Sequence, residues 1–154
     1  MTSDPSRPRI LVTGGAGFIG SHTVVALVES GYEPVVVDDL RNSRQEVMDG
    51  LERIIGRRVE FHAVDCGDED GMRPIMEQPL HGVIHFAADK AVGESVEHPE
   101  KYFSNNIGAT ARLAGMMRRR GVEHLVFSSS CTVYGETDVL PVNESAPVQP
   151  AASP

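Results

Sequence analysis

Residues 12–20 of the chain are VTGGAGFIG, a glycine-rich turn that follows a predicted strand ending at Thr13 and opens a predicted helix. Backbone N–H groups and the positive end of the helix dipole converge there, which suits a pyrophosphate. Gly14 permits the tight turn, Gly17 lets the backbone approach the phosphates without a Cβ, and Gly20 lets the helix pack closely on the strand. The spacing fits both G-x-x-G-x-x-G and the shorter G-x-G-x-x-G. The turn therefore predicts a dinucleotide site.

An acidic residue at the end of the next strand completes the fingerprint. Asp38 ends the predicted strand Pro34 to Asp38, where its carboxylate can accept hydrogen bonds from the adenosine ribose hydroxyls. Because the same carboxylate would repel a 2′-phosphate, NAD is favoured over NADP. Arg41 and Arg44 follow closely enough to keep NADP as an alternative, and a solvated strand end is the other interpretation of Asp38 and Asp39.

The composition favours one α/β domain that buries a core. The chain has 154 residues and no Trp, and its many Val, Ile, Leu and Ala residues suit buried parallel strands. A formal net charge of −8 argues against a nucleic-acid partner. The dense basic run, residues 118–120, falls at the predicted end of a helix, where cations oppose the negative pole of the dipole.

The cysteines and the terminal segment indicate the compartment. Cys66 and Cys131 lie in unrelated contexts without C-x-x-C spacing or a preceding signal peptide, which indicates the reducing cytoplasm. No apolar stretch approaches the roughly 18 residues of a membrane span, so we expect a soluble protein that does not bind membranes.

Residues 1–8 are predicted to form a frayed polar tail ahead of a single domain over residues 9–154, and no metal site is predicted.

Apolar runs alternate with helical patterns along the chain, which predicts right-handed crossovers and a parallel sheet covered on both faces. The predicted architecture is a doubly wound Rossmann fold with five strands in the order 3-2-1-4-5. The predicted strands are Ile10 to Thr13, Pro34 to Asp38, Val59 to Val64, Gly82 to Phe86 and His124 to Ser128; the predicted helices are Phe18 to Ser30, Arg44 to Ile55, Glu69 to Glu77 and Pro99 to Arg120.

The last segment, Gly135 to Pro154, contains four prolines and is predicted to be an irregular loop. A doubly wound domain normally continues past its fifth strand, so we expect this sequence to be truncated. The fifth strand would then lack cover on its far side. Exposed apolar surface there would favour association or marginal folding.

Further candidates stand at the ends of the third and fourth strands. Asp65 and Cys66 follow the third strand and are predicted to lie near the adenine, although a simple turn acid is nearly as good an interpretation of Asp65. His85 lies at the end of the fourth strand, and a packed core residue is favoured over a catalytic base. Small residues follow it and leave room for a coenzyme.

Two polar side chains are candidates for the far end of the site. Lys90 follows in a polar loop, residues 89–95, from which it could reach ribose hydroxyls or the nicotinamide; a surface lysine is the alternative. Ser130 lies just after the predicted fifth strand, where its hydroxyl could hydrogen-bond a substrate oxygen beside a nicotinamide ring. A turn hydroxyl that caps the following segment is the alternative for Ser130.

Four blocks of the sequence together resemble the UDP-glucose 4-epimerases of the extended short-chain dehydrogenase/reductase superfamily. The blocks are TGGAGFIGSH (13–22), DDLRNS (38–43), HFAADKAVGES (85–95) and SSSCTVYG (128–135). The resemblance runs from about Ile10 to Pro154. The segment KAVGES within the third block separates this family from the sugar-nucleotide dehydratases and the UDP-glucuronate epimerases.

The resemblance implies the reaction and the partners. In this family NAD removes a hydride from carbon 4 of a UDP-sugar and returns it to the other face of the 4-keto sugar, which interconverts UDP-glucose and UDP-galactose. The resemblance also implies a homodimer that involves the long predicted helix, Pro99 to Arg120.

The resemblance further implies which residues contact the coenzyme and the sugar. On the adenosine side these are Phe18 and Ile19 at the pyrophosphate, Asp38, Asp39, Leu40, Arg41, Asn42 and Ser43 at the ribose, and Asp65 and Cys66 at the adenine. On the nicotinamide side they are Phe86, Ala87, Ala88, Lys90 and Asn105, with Ser130 at both the coenzyme and the sugar, as the catalytic candidate.

One departure from the family pattern bears on activity. In the family a Y-x-x-x-K element supplies the tyrosine base and a lysine, whereas Tyr32, Tyr102 and Tyr134 have no lysine four residues later. Since Ser130 is too weak an acid or base to substitute, we expect the 154-residue chain alone to be inactive and to bind NAD weakly. Another NAD-dependent sugar-nucleotide epimerase or dehydratase, or a non-catalytic NAD-binding module, are the alternative functions.

Overall fold

The computed structural model describes residues 6–135, 137 and 140–149. Parts of the predicted tail and of the predicted final loop, residues 1–5, 136, 138–139 and 150–154, lie outside this range. The strands are β1 (Arg9–Thr13), β2 (Glu33–Val37), β3 (Glu60–His62), β4 (Gly82–His85) and β5 (His124–Phe127). The α-helices are α1 (Phe18–Glu29), α2 (Glu46–Ile55), α3 (Glu69–Met76), α4 (Val92–Glu97), α5 (Pro99–Tyr102) and α6 (Ala109–Arg120), with a π-helical segment (Phe103–Gly108) and a 3₁₀ helix (Cys131–Tyr134).

All neighbouring strands pair in parallel, and the sheet order is β3-β2-β1-β4-β5, which confirms the predicted fold. Because side chains alternate across a strand, the valines of β2 supply two separate cores. Val35 and Val37 pack with α3 and α6 on one face of the sheet, whereas Val36 packs with α1 and α2 on the other. The two layers of helices therefore cover the central strands on both sides.

The strand register places the candidate residues along one edge of the sheet. Thr13, the last residue of β1, is paired with Val37 of β2 and with His85 of β4. The loops that leave these three strands, including the glycine turn, therefore start side by side. This edge, formed by the carboxyl ends of the strands, is where doubly wound sheets bind ligands.

The prediction of a polar loop over residues 89–95 is wrong at its end, because Val92–Glu97 forms α4. Six residues are too few to show a helical period, and no side chain caps this helix. Tertiary contacts hold it instead: Ser95 is buried, and the Tyr102 hydroxyl donates to Glu94 at 2.7 Å. The predicted long helix, Pro99 to Arg120, is interrupted by the π-helical segment.

The fifth strand differs from the other strands of the sheet. Leu125, Val126 and Phe127 are 41%, 60% and 55% exposed, as expected for a strand without cover on one side. The described residues 140–149 form turns and bends, without a helix or strand. Within the described part of the chain, no helix is long and apolar enough to cross a membrane.

Candidate functional site

The glycine turn is wedged between the ends of β2 and β4. The Gly14 amide donates to the carbonyl of Val37 at 2.8 Å, and Gly14 has a φ of +69°. A Cβ at Gly14 would lie 2.7 Å from the amide nitrogen of Ala87, and a Cβ at Gly20 would lie 2.3 Å from the carbonyl oxygen of Gly14. These two positions therefore accept only glycine, for conformation and for packing.

Gly17 is under a weaker packing constraint than the other two glycines. It is the N-cap of α1, and a Cβ there would meet the carbonyl oxygen of Gly14 at 3.1 Å, a tight contact that a small adjustment relieves. The requirement for glycine at this position therefore comes mainly from whatever approaches the turn from outside.

The start of α1 is open and electrically positive. Ser21 donates to the carbonyl of Gly17 at 2.9 Å as the first bond of the helix, so the amides of Phe18 and Ile19 precede the bonded part. Neither a capping side chain nor an acidic residue occupies the first turn of this described helix. The side chains of Phe18 and Ile19 are 81% and 59% exposed. Unpaired amides at a positive dipole end bind anions such as a diphosphate.

Asp38 lies directly beside the glycine turn, and its carboxylate is held in place by three donors. The amide of Ala16 donates to Oδ2 at 3.0 Å, while the amide of Leu40 and the hydroxyl of Ser43 donate to Oδ1 at 2.9 and 2.7 Å. The first of these bonds joins the loop after β2 to the glycine turn. Asp38 is only 8% exposed. A carboxylate has about four acceptor positions, so one on Oδ2 is left for a hydroxyl donor.

Arg41 links the ends of several strands. Its guanidinium lies 2.6 Å from Asp39 Oδ2, 3.3 Å from Asp65 Oδ2, 3.5 Å from Asp89 Oδ2 and 3.3 Å from Asn105 Oδ1. Burial alone would lower the pKa of Arg41, but the three carboxylates outweigh it and raise that pKa. Because its charge is already balanced by carboxylates, Arg41 does not offer an unpaired cation for a 2′-phosphate, which weakens the NADP alternative.

Asp89 falls in the predicted polar loop, where the sequence gives it no role of its own, and the structure places its side chain near Arg41. Its side chain is 6% exposed, and Oδ2 has no hydrogen-bond partner among the described residues, with Arg41 as the nearby cation. The side-chain amide of Asn106 makes two hydrogen bonds to the backbone of Asp89. The Asp89 amide donates to Asn106 Oδ1 at 2.8 Å, and Asn106 Nδ2 donates to the Asp89 carbonyl at 2.9 Å. An acid in a strand-end loop carries no sequence signal of burial.

Asp65 and Cys66 follow β3 at the same edge. Asp65 Oδ1 accepts the Gly67 amide at 2.8 Å, so Asp65 does act as a turn acid, while its Oδ2 faces Arg41. The Cys66 thiol is buried, and this burial, with a further contribution from the Asp65 carboxylate, raises its pKa to about 12. The thiol therefore remains protonated, and only its backbone is available to a ligand.

The nicotinamide-side candidates are less closely connected. The amide of Phe86 donates to the carbonyl of Thr13 at 3.0 Å, which fixes the start of the segment that includes Ala87 and Ala88, whereas Lys90 is exposed. Ser130 caps the 3₁₀ helix: its Oγ accepts the Thr132 amide at 3.3 Å and lies 2.8 Å from Thr132 Oγ1. Both interpretations of Ser130 stay open, since a capping hydroxyl at a strand end can also meet a ligand.

The strand order and the glycine turn define a doubly wound, Rossmann-type α/β domain. The model of the NAD-dependent epimerase/dehydratase family matches residues 10–154. The chain belongs to this family.

Several curated relatives are UDP-glucose 4-epimerases. The chain is 49% identical over 146 residues to the UDP-glucose 4-epimerase of Dictyostelium discoideum, a match that covers 94% of this chain and 42% of the relative. It is 44% identical over 153 residues to the enzyme of Mus musculus, with 95% and 44% covered. The chain thus spans less than half the length of these relatives.

Solved structures agree with the fold. The UDP-glucose 4-epimerase of Stenotrophomonas maltophila, crystallised with NAD and formylated UDP-arabinopyranose, superposes with a TM-score of 0.86 at 44% identity, with 93% of this chain and 43% of that chain covered. The enzyme of Bifidobacterium longum, in complex with NAD⁺ and UDP, gives a TM-score of 0.86 at 42% identity, with 92% and 42% covered.

Proposed function

We propose that the chain supplies the NAD-binding portion of a UDP-glucose 4-epimerase. The observation that carries this proposal is the open start of α1 beside the anchored Asp38 carboxylate, joined by the bond from the Ala16 amide to Asp38 Oδ2. A diphosphate donor site and a hydroxyl acceptor site are thereby held in one fixed relation. An adenine dinucleotide requires both, one for its diphosphate and one for its adenosine ribose.

The residues present fit NAD in both charge and space. The amides at residues 18–20 would hold the diphosphate, with Gly17 leaving room for its approach, and Asp38 would hold the ribose hydroxyls. Bound NAD supplies the hydride acceptor and donor that epimerisation at carbon 4 needs. Lys90 and Ser130 would contact the nicotinamide side and the sugar, Ser130 as a hydrogen-bonding group for the reacting hydroxyl.

We further propose a UDP-sugar as substrate, since two similar solved structures contain formylated UDP-arabinopyranose and UDP. Homodimerisation is supported by an apolar surface on the helices after β4. This surface contains four exposed apolar side chains: Val92 (61%), Val96 (62%), Phe103 (53%) and Ile107 (59%). Val92 and Val96 are four residues apart, as are Phe103 and Ile107, so the two members of each pair share a helix face. A cytoplasmic location is supported by the two free thiols, Cys66 and Cys131.

Calorimetric titration with NAD tests the proposal. Gly17→Ala adds a methyl group at the open end of the turn at little cost to the fold, and we expect the affinity for NAD to fall at least about tenfold, the loss of roughly 1.4 kcal/mol or more. Gly50→Ala is the matched control, because a Cβ there meets nothing within 4 Å and Gly50 lies inside α2, far along the chain from the turn.

The control should leave the NAD affinity unchanged and raise the melting temperature slightly, since alanine is favoured over glycine within a helix by about 1 kcal/mol. Equal affinities for NAD in the unaltered chain and in Gly17→Ala, with both variants folded, would refute the placement of the diphosphate. The absence of any NAD binding by the unaltered chain would refute the function of this portion.

A further inference from the structure

A buried histidine joins two elements of the site without facing the open cleft. His85, the last residue of β4, is 2% exposed and lies between two threonine hydroxyls. Its Nδ1 lies 2.5 Å from Thr13 Oγ1 at the end of β1, and its Nε2 lies 2.9 Å from Thr110 Oγ1 in α6. The ring also packs against Phe127 of β5, with ring centroids 5.7 Å apart.

The partners of these hydroxyls fix the position of the ring proton. The Thr110 hydroxyl donates to the Asn106 carbonyl at 2.6 Å, which uses its single proton. Nε2 of His85 must therefore be the donor to Thr110 Oγ1. Because burial disfavours a charged ring, the imidazole is neutral with its single proton on Nε2. Nδ1 is then unprotonated and accepts the proton of the Thr13 hydroxyl.

Both ends of this chain of bonds reach the candidate site. Thr13 directly precedes the glycine turn, and it also accepts the Phe86 amide at its carbonyl. Asn106, whose carbonyl anchors Thr110, holds the backbone of Asp89 with its side-chain amide. The imidazole thus connects the turn after β1 with the π-helical segment that fixes the loop after β4.

We propose that His85 is a positioning residue of the coenzyme site: its neutral ring sets the spacing between the glycine turn and the loop after β4. This inference rests on the proposed NAD-binding function. It assigns no proton transfer to His85, since the ring is buried. Its role is to keep the diphosphate and nicotinamide halves of the cleft in register.

Acid should disrupt this arrangement. A proton on Nδ1 would make both ring nitrogens donors, so Thr13 could no longer donate to the ring, and the charge would be buried. The groups that face the ring, Thr13 of β1, Thr110 of α6 and Phe127 of β5, are all uncharged, and burial lowers the pKa of His85 below its ordinary value. Since the folded pKa lies below the unfolded pKa of about 6.5, the stabilisation is complete above that pH and is lost as the pH falls below it.

Heteronuclear NMR of the imidazole nitrogens in the 154-residue chain tests the ring state without NAD. We expect His85 to show a protonated Nε2 and an unprotonated Nδ1 at neutral pH. Thr110→Val, which removes the acceptor for Nε2, should shift the amide resonances of residues 14–20 on the far side of the ring. A proton on Nδ1, or unchanged turn amides in Thr110→Val, would overturn the proposal.

NAD titration at several pH values tests the effect on binding. The affinity should stay constant above about pH 6.5 and fall as the pH is lowered below that value, by at most about tenfold for each pH unit once the ring protonates. His85→Gln keeps a donor near Nε2 and cannot titrate, so it should bind NAD with a flatter pH profile. His124→Gln, at the opposite edge of the sheet, should keep the full pH dependence. A pH profile in His85→Gln as steep as that of the unaltered chain would contradict the inference.

If the unaltered chain binds no NAD at any pH, the proposed function fails, whereas the ring state and the response of the turn amides still decide the structural part of the inference. Thr110→Val should also weaken NAD binding by about fivefold to tenfold at neutral pH, the effect of one lost buried hydrogen bond. An affinity equal to that of the unaltered chain would count against a positioning role.

Discussion

β2 and β5 are strands of the same sheet, yet their environments are opposite. Every residue of β2 is buried, with Val35, Val36 and Val37 no more than 1% exposed, whereas all four residues of β5 are exposed. Asp38, the candidate for the adenosine ribose, directly follows β2, and β5 leads to Ser130, the candidate for the sugar. The part of the candidate site around Asp38, the adenosine half, is therefore built on a covered strand. The part around Ser130, the catalytic half, is built on an uncovered strand.

The largest expected consequence of this difference is in catalysis. The 154-residue chain contains no Y-x-x-x-K element, so the candidate base of the family is missing from its catalytic half. We expect no measurable interconversion of UDP-glucose and UDP-galactose, since general acid–base catalysis contributes about 10²- to 10⁴-fold. A coupled assay of purified chain checks this, with NAD titration of the same sample as the control for a folded adenosine half. Turnover above background would show that the catalytic half is more complete than its strand suggests.

A matched pair of valine substitutions measures the difference in cover directly. Val36 in β2 is fully buried between α1 and α2, while Val126 in β5 is 60% exposed. Val36→Ala should lower the free energy of unfolding by about 2–3 kcal/mol, through lost burial and a cavity. Val126→Ala should lower it by less than about 0.5 kcal/mol.

Urea denaturation followed by circular dichroism gives both values on the same scale. Equal losses for the two variants would mean that β5 is covered in solution, for example by a second copy of the chain. Repeating the measurement over a range of protein concentrations identifies such association, because the stability then depends on concentration.

The covered half is also the half that sequence predicts well. The valine run of β2, the glycine turn and the acid at residue 38 carry strong local signals, and the strand order follows from the alternation of strands and helices. Where a strand end differs from its prediction, it does so by one or two residues, as for β3, predicted over Val59–Val64 and found over Glu60–His62. Strand pairing, which sets these ends, depends on partners distant in the sequence.

The contacts that sequence could not supply are those between loops. The ion pairs of Arg41 join residues 39, 65 and 89, which lie in the loops after three different strands, and neither spacing nor periodicity encodes them. The π-helical segment has no period distinguishable from that of the helices around it. The His85 network likewise becomes visible only when Thr13 and Thr110, distant in sequence, are placed on either side of the ring.

A substitution at Asp38 tests the role of the adenosine half in the choice between NAD and NADP, and its expected effect is of intermediate size. Asp38→Asn removes the negative charge that would repel a 2′-phosphate and replaces one acceptor oxygen with an amide. We expect the affinity for NAD to fall about tenfold, equivalent to about 1.4 kcal/mol, and the affinity for NADP to change less, so that the preference for NAD narrows. Asp49→Asn in α2 is the control, and paired titrations with NAD and NADP are the measurement. An unchanged ratio of the two affinities would remove Asp38 from coenzyme selection.

The smallest expected effect is that of removing the Arg41 cation, whose ion pairs join the loops after β2, β3 and β4. Arg41→Gln leaves Asp39, Asp65 and the buried Asp89 without their shared cation, so their charges repel the coenzyme diphosphate. The affinity for NAD should fall about threefold to fivefold at low salt, the scale of a partly exposed ion-pair network, and by less at high salt, where the exposed charges are screened. Arg44→Gln, an exposed cation nearby in the sequence, is the matched control and should change the affinity little. A loss in Arg41→Gln that is the same at low and high salt would show that Arg41 acts through loop packing rather than through its charge.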